Sequence, residues 1–270
     1  MSTANGVTRF VRVRHEGSVF YAVWEGDVLL ELDGELFDGP ELTGRQIPTD
    51  EAEFLVPCEP SKVIAVGLNY ASHRERVESS EGVILNAAGR PVPSDYPGVF
   101  AKFPTCLIPH GHDIVFSRDA TDVHFEGELA VVIGQPAKDI SVADASAHVF
   151  GVSICNDLVD RGWLLEDLQW FRAKGSDGFG PMGPAIVTGL DYNNLNLETR
   201  VNGEVRQSSN TSQLVFSPDE IISYCSRYVT LLPGDVIFTG TPGQTQAVTE
   251  GDVIDIEIEG IGVLSNKVTS

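Results

Sequence analysis

The stretch Val123-His124-Phe125-Glu126-Gly127-Glu128-Leu129 alternates polar and apolar residues and runs into Ala130-Val131-Val132-Ile133. On an extended chain alternate side chains share a face, so His124, Glu126 and Glu128 point one way and Val123, Phe125 and Leu129 the other. Two carboxylates about 7 Å apart on a strand bound for an apolar core repel each other unless a cation or water lies between them. The plainer alternative is a half-exposed strand with a wet acidic face. A third acid shifts the balance: Gly151-Val152-Ser153-Ile154-Cys155-Asn156-Asp157 is an apolar strand ending in a carboxylate, and strand ends commonly carry site residues. Glu126, Glu128 and Asp157 form an all-oxygen donor set without Cys, which suits Mg²⁺, or Mn²⁺ or Ca²⁺, in place of zinc. Positive charge follows in Arg161, Arg172 and Lys174. Lys174 lies in Arg-Ala-Lys-Gly-Ser-Asp, a loop of small residues suited to an anion contact, whereas Arg172 reads equally well as a solvated surface charge.

One motif is a decoy. Gly178-Phe179-Gly180-Pro181-Met182-Gly183 fits G-x-G-x-x-G, but a dinucleotide site needs a helix after the glycines, and Pro181 and Pro184 forbid one. The chain has no G-x-x-x-x-G-K-[ST] loop and no G-x-S-x-G elbow. Cys58, Cys106, Cys155 and Cys225 are widely spaced with no Cys-x-x-Cys pair, which predicts four buried, reduced thiols.

The elements that must position these residues are mostly strands. Residues 8–32 read as a hairpin or meander, and a boundary near residue 58 separates a small N-terminal β domain, 1–58, from a larger unit, 59–270, that opens with Lys62-Val63-Ile64-Ala65-Val66-Gly67. Strands are expected over 113–116, 123–133, 150–155, 184–188, 197–201, 234–238 and 252–264. Helices are expected over 71–78, 142–147, 163–170 and 217–225, the last opened by the N-cap and N1 proline of Ser217-Pro218-Asp219-Glu220. Such a pattern predicts a β-rich α+β fold with a closed or sandwiched sheet. Residues 74–100 are polar and broken by Pro91, Pro93 and Pro97, a length that suggests a lid, mobile without ligand.

The whole chain agrees with a globular acidic enzyme or binding protein. Its 270 residues carry 39 acidic against 18 basic side chains, a formal charge of −21, which repels nucleic acid and anionic bilayers alike. No apolar run approaches the roughly 18 to 20 residues of a membrane helix. Arg9, Arg12 and Arg14 interrupt the first apolar residues before a secretory signal could form, so a cytoplasmic location is expected.

Several ordered motifs together resemble the fumarylacetoacetate hydrolase superfamily, from about residue 55 to 268. Gly67-Leu68-Asn69-Tyr70-Ala71-Ser72-His73 is similar to its opening motif, and Pro97-Gly98-Val99-Phe100-Ala101-Lys102 to the segment bearing a substrate-facing lysine. Glu126-x-Glu128 with Asp157 matches its divalent-metal triad. Asn156-Asp157 to Arg161, and Lys174 to Asp177, match the loop whose arginine and lysine face substrate. Gln207, Asn210, Thr211 and Gly234 to Pro242 match its C-terminal signatures. The resemblance implies a mixed β-sandwich roll with a small N-terminal β domain, a homodimer or higher oligomer, and Mg²⁺-dependent chemistry on 2-oxo or 1,3-dioxo acids. It also implies catalytic roles for His73 and Lys174 and substrate contacts from Asn69, Tyr70, Lys102, Arg161, Asp177 and Thr241.

Two departures bear on the reaction. Hydrolytic members of the superfamily pair a lid histidine with a glutamate one helical turn later, as a base for water. Here the residue three beyond His73 is Arg76, with Glu75 and Glu78 at offsets two and five. Glu75 is taken as the partner, although on a helix it would point about 200° away from His73, and Glu78 stays open as the alternative. The family's Arg-Asp-x-Gln reads Arg161-Gly162-Trp163-Leu164, so an amide is replaced by an apolar side chain, suggesting a larger or less polar substrate tail than that of oxaloacetate. The leading expectation is a metal-dependent C–C bond hydrolase acting on an acylpyruvate. A 2-oxo acid decarboxylase or dienol-acid isomerase is the second, and a catalytically silent 2-oxo acid binding protein the third.

Overall fold

The computed structural model describes residues 6–81 and 95–269. Its backbone is an α+β fold dominated by strands. A 12-stranded sheet runs in the order Glu41–Pro48, Val28–Asp33, Ser18–Glu25, Thr8–His15, Gly180–Thr188, Val149–Asn156, Gly127–Ile133, Val236–Phe238, Val63–Gly67 and Gly98–Lys102, with two short strands off this path. The N-terminal meander is therefore a continuation of the main sheet, since Thr8–His15 pairs with Gly180–Thr188. A five-stranded sheet, containing Asn196–Val201, Val253–Ile258 and Gly262–Thr269, has its own inward face.

Alternation along the central strands explains both faces. Leu129, Val131 and Ile133 join Ile154, Leu197, Ile254, Ile256 and Leu264 in one apolar cluster, whereas Ala130 and Val132 join Cys155, Met182, Val63, Ala65 and Phe238 in another. Every residue of Gly127–Ile133 is buried, which is why this strand is apolar along its whole length except at Glu128. By the same period of two, Glu128 and Asp157 continue the second face beyond Ala130 and Cys155, and Lys102, paired with Val63, lies on that face too.

The structure differs from the expected elements in ways that matter to the site. The stretch 123–133 is two strands: Val123–His124 pairs with Val159–Asp160 in a separate two-stranded ladder, and Gly127–Ile133 enters the main sheet. Phe125 and Glu126 form the break, so Glu126 is freed from strand geometry. The region 252–264 is a hairpin of two strands, Val253–Ile258 and Gly262–Thr269. Instead of one helix over 163–170 there are two short ones, Arg161–Glu166 and Phe171–Gly175, with Trp170 between them in the left-handed region at φ 56. The glycines at 178–183 lead directly into strand Gly180–Thr188, as the prolines required. Of the 74–100 segment, helix Ala71–Glu81 and strand Gly98–Lys102 are seen, and the expected mobile lid falls largely on 82–94, outside the described residues. No described helix is long and apolar enough to cross a membrane.

Candidate active site

Glu126, Glu128 and Asp157 converge, with one carboxylate oxygen from each lying within 4.8 Å of the others. Glu126 reaches this cluster from the break at Phe125–Glu126, between the strands Val123–His124 and Gly127–Ile133. Gly127 sits between the two glutamates because a Cβ there would meet Thr199 Oγ1 at 2.2 Å, so only glycine lets this corner pack on the five-stranded sheet. The Glu126 N–H donates to Asn156 Oδ1 at 2.8 Å and the Asp157 N–H donates to the Glu126 carbonyl at 2.9 Å, locking the two acidic corners together.

Two buried lysines face the acids. Lys102 Nζ pairs with Asp157 Oδ1 at 2.7 Å and donates to the Lys174 carbonyl. Lys174 Nζ donates to Glu126 Oε2 at 2.7 Å and to the Asp157 carbonyl at 2.8 Å, and lies 2.9 Å from Asp157 Oδ2. Burial opposes the Lys174 charge, but Asp157 and Glu126 outweigh it and hold the ammonium protonated well above the usual lysine range. Burial likewise pushes the Asp157 carboxyl up, and the two lysines reverse this to leave it below the ordinary value. Glu128 is the opposite case. Burial, then Asp157 and Glu126, drive its carboxyl well above the ordinary range, against the smaller help of Lys174 and the Gly240 N–H, which donates to its Oε2 at 2.7 Å.

Two ammonium groups against three carboxylates leave one acid uncompensated, and Glu128 carries that deficit. A divalent cation fits this arrangement: the donors are hard oxygens, they already converge, and their mutual repulsion is relieved by added positive charge. Glu126, Glu128 and Asp157 are the residues that would hold it.

His73, on helix Ala71–Glu81, is 6% exposed, and its Nδ1 lies 2.6 Å from the Gly243 carbonyl oxygen. A carbonyl only accepts, so Nδ1 carries the proton and Nε2 presents the lone pair of the neutral ring. The expected partner Glu75 is exposed on the same helix and makes no hydrogen bond to His73; the Glu78 side chain lies outside the described residues. Asn69 is buried, with both amide protons donated, to the Phe216 carbonyl at 2.9 Å and the Thr239 carbonyl at 2.8 Å, and its Oδ1 accepting from the Phe216 N–H. It therefore staples the turn in which Leu68 adopts φ 56, and offers little to a substrate. Gly240 allows this close approach, since a Cβ there would lie 2.7 Å from Asn69 Cβ.

Tyr70 is buried beside Glu128 with no hydrogen-bond partner for its hydroxyl among the described residues, and burial followed by the Glu128 charge pushes its phenol up. Thr241 Oγ1 donates to the Gly127 carbonyl at 3.0 Å and accepts from Gln207 Nε2 at 2.8 Å. Arg161 Nη2 donates to Thr245 Oγ1 at 3.0 Å. Asp177 is exposed on the turn before strand Gly180–Thr188, and Leu164 packs against the larger apolar cluster. Arg172 is a surface residue paired with Asp167 and Glu166. Sequence reading missed Gly243 and Thr245, because a carbonyl contact leaves no residue-type signal and one threonine in a loop carries none.

Residues 62–269 match the family described as fumarylacetoacetate (FAA) hydrolase, C-terminal, and residues 8–57 match the Rv2993c-like N-terminal family. The chain belongs to the fumarylacetoacetate hydrolase family. Within the family it is 41% identical over 236 residues to the bovine mitochondrial oxaloacetate tautomerase FAHD2A, covering 82% of this chain and 71% of that protein. A solved 5-carboxymethyl-2-hydroxymuconate delta-isomerase from Mycobacterium smegmatis is 41% identical with a TM-score of 0.87, covering 97% of this chain and 99% of that one. The fumarylacetoacetate hydrolase of Exiguobacterium antarcticum is 34% identical with a TM-score of 0.83, covering 97% and 99%. The two boundaries at 57 and 62 fall on either side of Cys58, while the sheet itself runs across them.

Proposed function

We propose that this family member is a divalent-metal-dependent tautomerase that interconverts keto and enol forms of a 2-oxo dicarboxylic acid. The observation that carries the reading is His73: its Nδ1 is held by the Gly243 carbonyl, so Nε2 is a positioned base, and no described carboxylate orients it for water activation. The names of the bovine and mycobacterial relatives, a tautomerase and an isomerase, support the same class.

A bound cation would supply Lewis-acid polarisation of the 2-oxo group. His73 Nε2 takes the proton from C3; the C3–H electron pair becomes the C2–C3 double bond, the carbonyl pair moves onto the C2 oxygen, and the proton held on Nε2 is passed to that oxygen, which regenerates the neutral base. Lys174, with three chain oxygens within 2.9 Å, acts by charge, helping to hold the Asp157 carboxyl below its ordinary value and stabilising the developing enolate. Arg161 takes the carboxylate at the far end of the substrate. Tautomerisation needs no water, and so agrees with a histidine that has no acidic partner among the described residues.

Hydrolysis of an acylpyruvate is the second reading, favoured by the Exiguobacterium hydrolase relative. Product analysis with Mg²⁺ in ¹⁸O-labelled water separates the two. Accelerated decay of oxaloacetate enol absorbance with no carbon–carbon cleavage is expected. Cleavage of acylpyruvates with label in a released carboxylate would overturn the tautomerase in favour of the hydrolase.

A further inference from the structure

Beyond the triad, the ladder of Val123–His124 with Val159–Asp160 places Val123 opposite Asp160 and so brings Asp122 opposite Arg161, with His124 two residues along the same strand. Thr245, 5% exposed, joins the two: Arg161 Nη2 lies 3.0 Å from its Oγ1 and His124 Nδ1 lies 3.1 Å from the same atom. His124 Nε2 is in turn 3.1 Å from Asp122 Oδ1. Donor and acceptor chemistry fixes the direction of this chain. A guanidinium only donates and a carboxylate only accepts, so in the neutral ring Nε2 carries the proton toward Asp122, and Nδ1 accepts the single hydroxyl proton of Thr245. Arg161, Thr245, His124 and Asp122 then form one run in which each group donates to the next.

The backbone supports the same geometry. The Arg161 N–H donates to the Asp122 carbonyl at 2.9 Å, and the Val248 N–H to the Val123 carbonyl at 2.9 Å; His124 bridges Ala247. One loop, 239–248, thus holds Glu128 through Gly240, His73 through Gly243 and Arg161 through Thr245.

We infer that Thr245 and His124 are positioning residues that aim the Arg161 guanidinium at the distal carboxylate of the substrate, and so set selectivity for 2-oxo acids carrying a second acid group. The inference rests on the tautomerase reading for its substrate class. Thr245→Val keeps the side-chain volume and removes the hydroxyl, whereas Thr245→Ser keeps the hydroxyl.

The test compares oxaloacetate turnover with inhibition by oxalate, which has no distal carboxylate, in the Mg²⁺-loaded enzyme. Thr245→Val should raise KM for oxaloacetate by about tenfold, with kcat changing less, and leave oxalate inhibition within about twofold. Thr245→Ser should restore KM, and Thr245→Val should add nothing to Arg161→Met, because both act through one group. Parallel weakening of oxalate, failure of the serine variant to rescue, or additive effects with Arg161→Met would overturn the inference. Should the wild-type protein turn over no 2-oxo acid, the functional reading falls. Crystal structures then decide the positioning claim: an Arg161 guanidinium displaced in Thr245→Val and in place in Thr245→Ser supports it, and an unmoved guanidinium in both overturns it.

Discussion

The carbonyl oxygen of Gly243 and Nδ1 of His73 are 2.6 Å apart although 170 residues separate them in sequence, and this contact sets which ring nitrogen can act as the base. Asparagine at position 73 places an amide N–H near the position of Nδ1 without a basic nitrogen beyond it. His73→Asn should therefore keep the fold and lower kcat by about 10²- to 10⁴-fold. Glu75→Gln should leave kcat nearly unchanged, since that side chain is exposed and makes no hydrogen bond to His73. Steady-state kinetics of both variants check this, and a large loss in Glu75→Gln would restore the His-Glu pair.

Glu128 is the acid least at ease in its surroundings, pushed up by burial and by its two acidic neighbours. Glu128→Gln keeps an acceptor for the Gly240 N–H and removes the charge. The variant should melt at or above the wild-type temperature in chelator, yet lose the stabilisation that Mg²⁺ gives, which is about 2.7 kcal/mol at a hundredfold excess over Kd. Thermal melts with and without Mg²⁺ read both effects, and a Mg²⁺ shift surviving in this variant would remove Glu128 from the metal set.

Lys174→Met strips the ammonium from Glu126 and from one oxygen of Asp157 while Lys102 keeps the other. Breaking a buried pair in this way leaves a poorly compensated charge, so stability should fall by about 3–5 kcal/mol. Added Mg²⁺ should recover part of it, because the cation supplies the missing positive charge. Denaturant unfolding at several Mg²⁺ concentrations is the measurement.

The thiols give a pH prediction. Burial, with Asp235 nearby, pushes Cys58 from 9.0 up to about 12, and burial alone pushes Cys225 to about 12. Both folded values lie above the unfolded one, so the native state holds these protons longer. Their contribution to stability is fully present below pH 9 and is lost as the pH rises toward 12. Iodoacetamide at pH 8 should label neither residue in the native protein and both after denaturation. Mass spectrometry of the labelled peptides decides, and rapid native labelling of Cys58 would contradict its burial.

The sequence alone made the acidic triad legible, because residue type and strand period both act locally: Glu126 and Glu128 two apart, and Asp157 at the end of an apolar run. Strand content, the N-cap at Ser217 and the proline veto on the 178–183 glycines were legible for the same reason. What tertiary structure decided are contacts between distant segments. The break at Phe125–Glu126 follows from pairing of Val123–His124 with Val159–Asp160, which the continuous alternation of 123–133 conceals. The partner of His73 is a backbone carbonyl, and a backbone group has no residue type to read. Lys102, the last residue of strand Gly98–Lys102, and Lys174, on helix Phe171–Gly175, meet across Asp157 only through the packing of segments far apart in sequence. Local chemistry therefore names the charged groups, while long-range packing fixes which of them touch and which nitrogen of His73 is left free to take a proton.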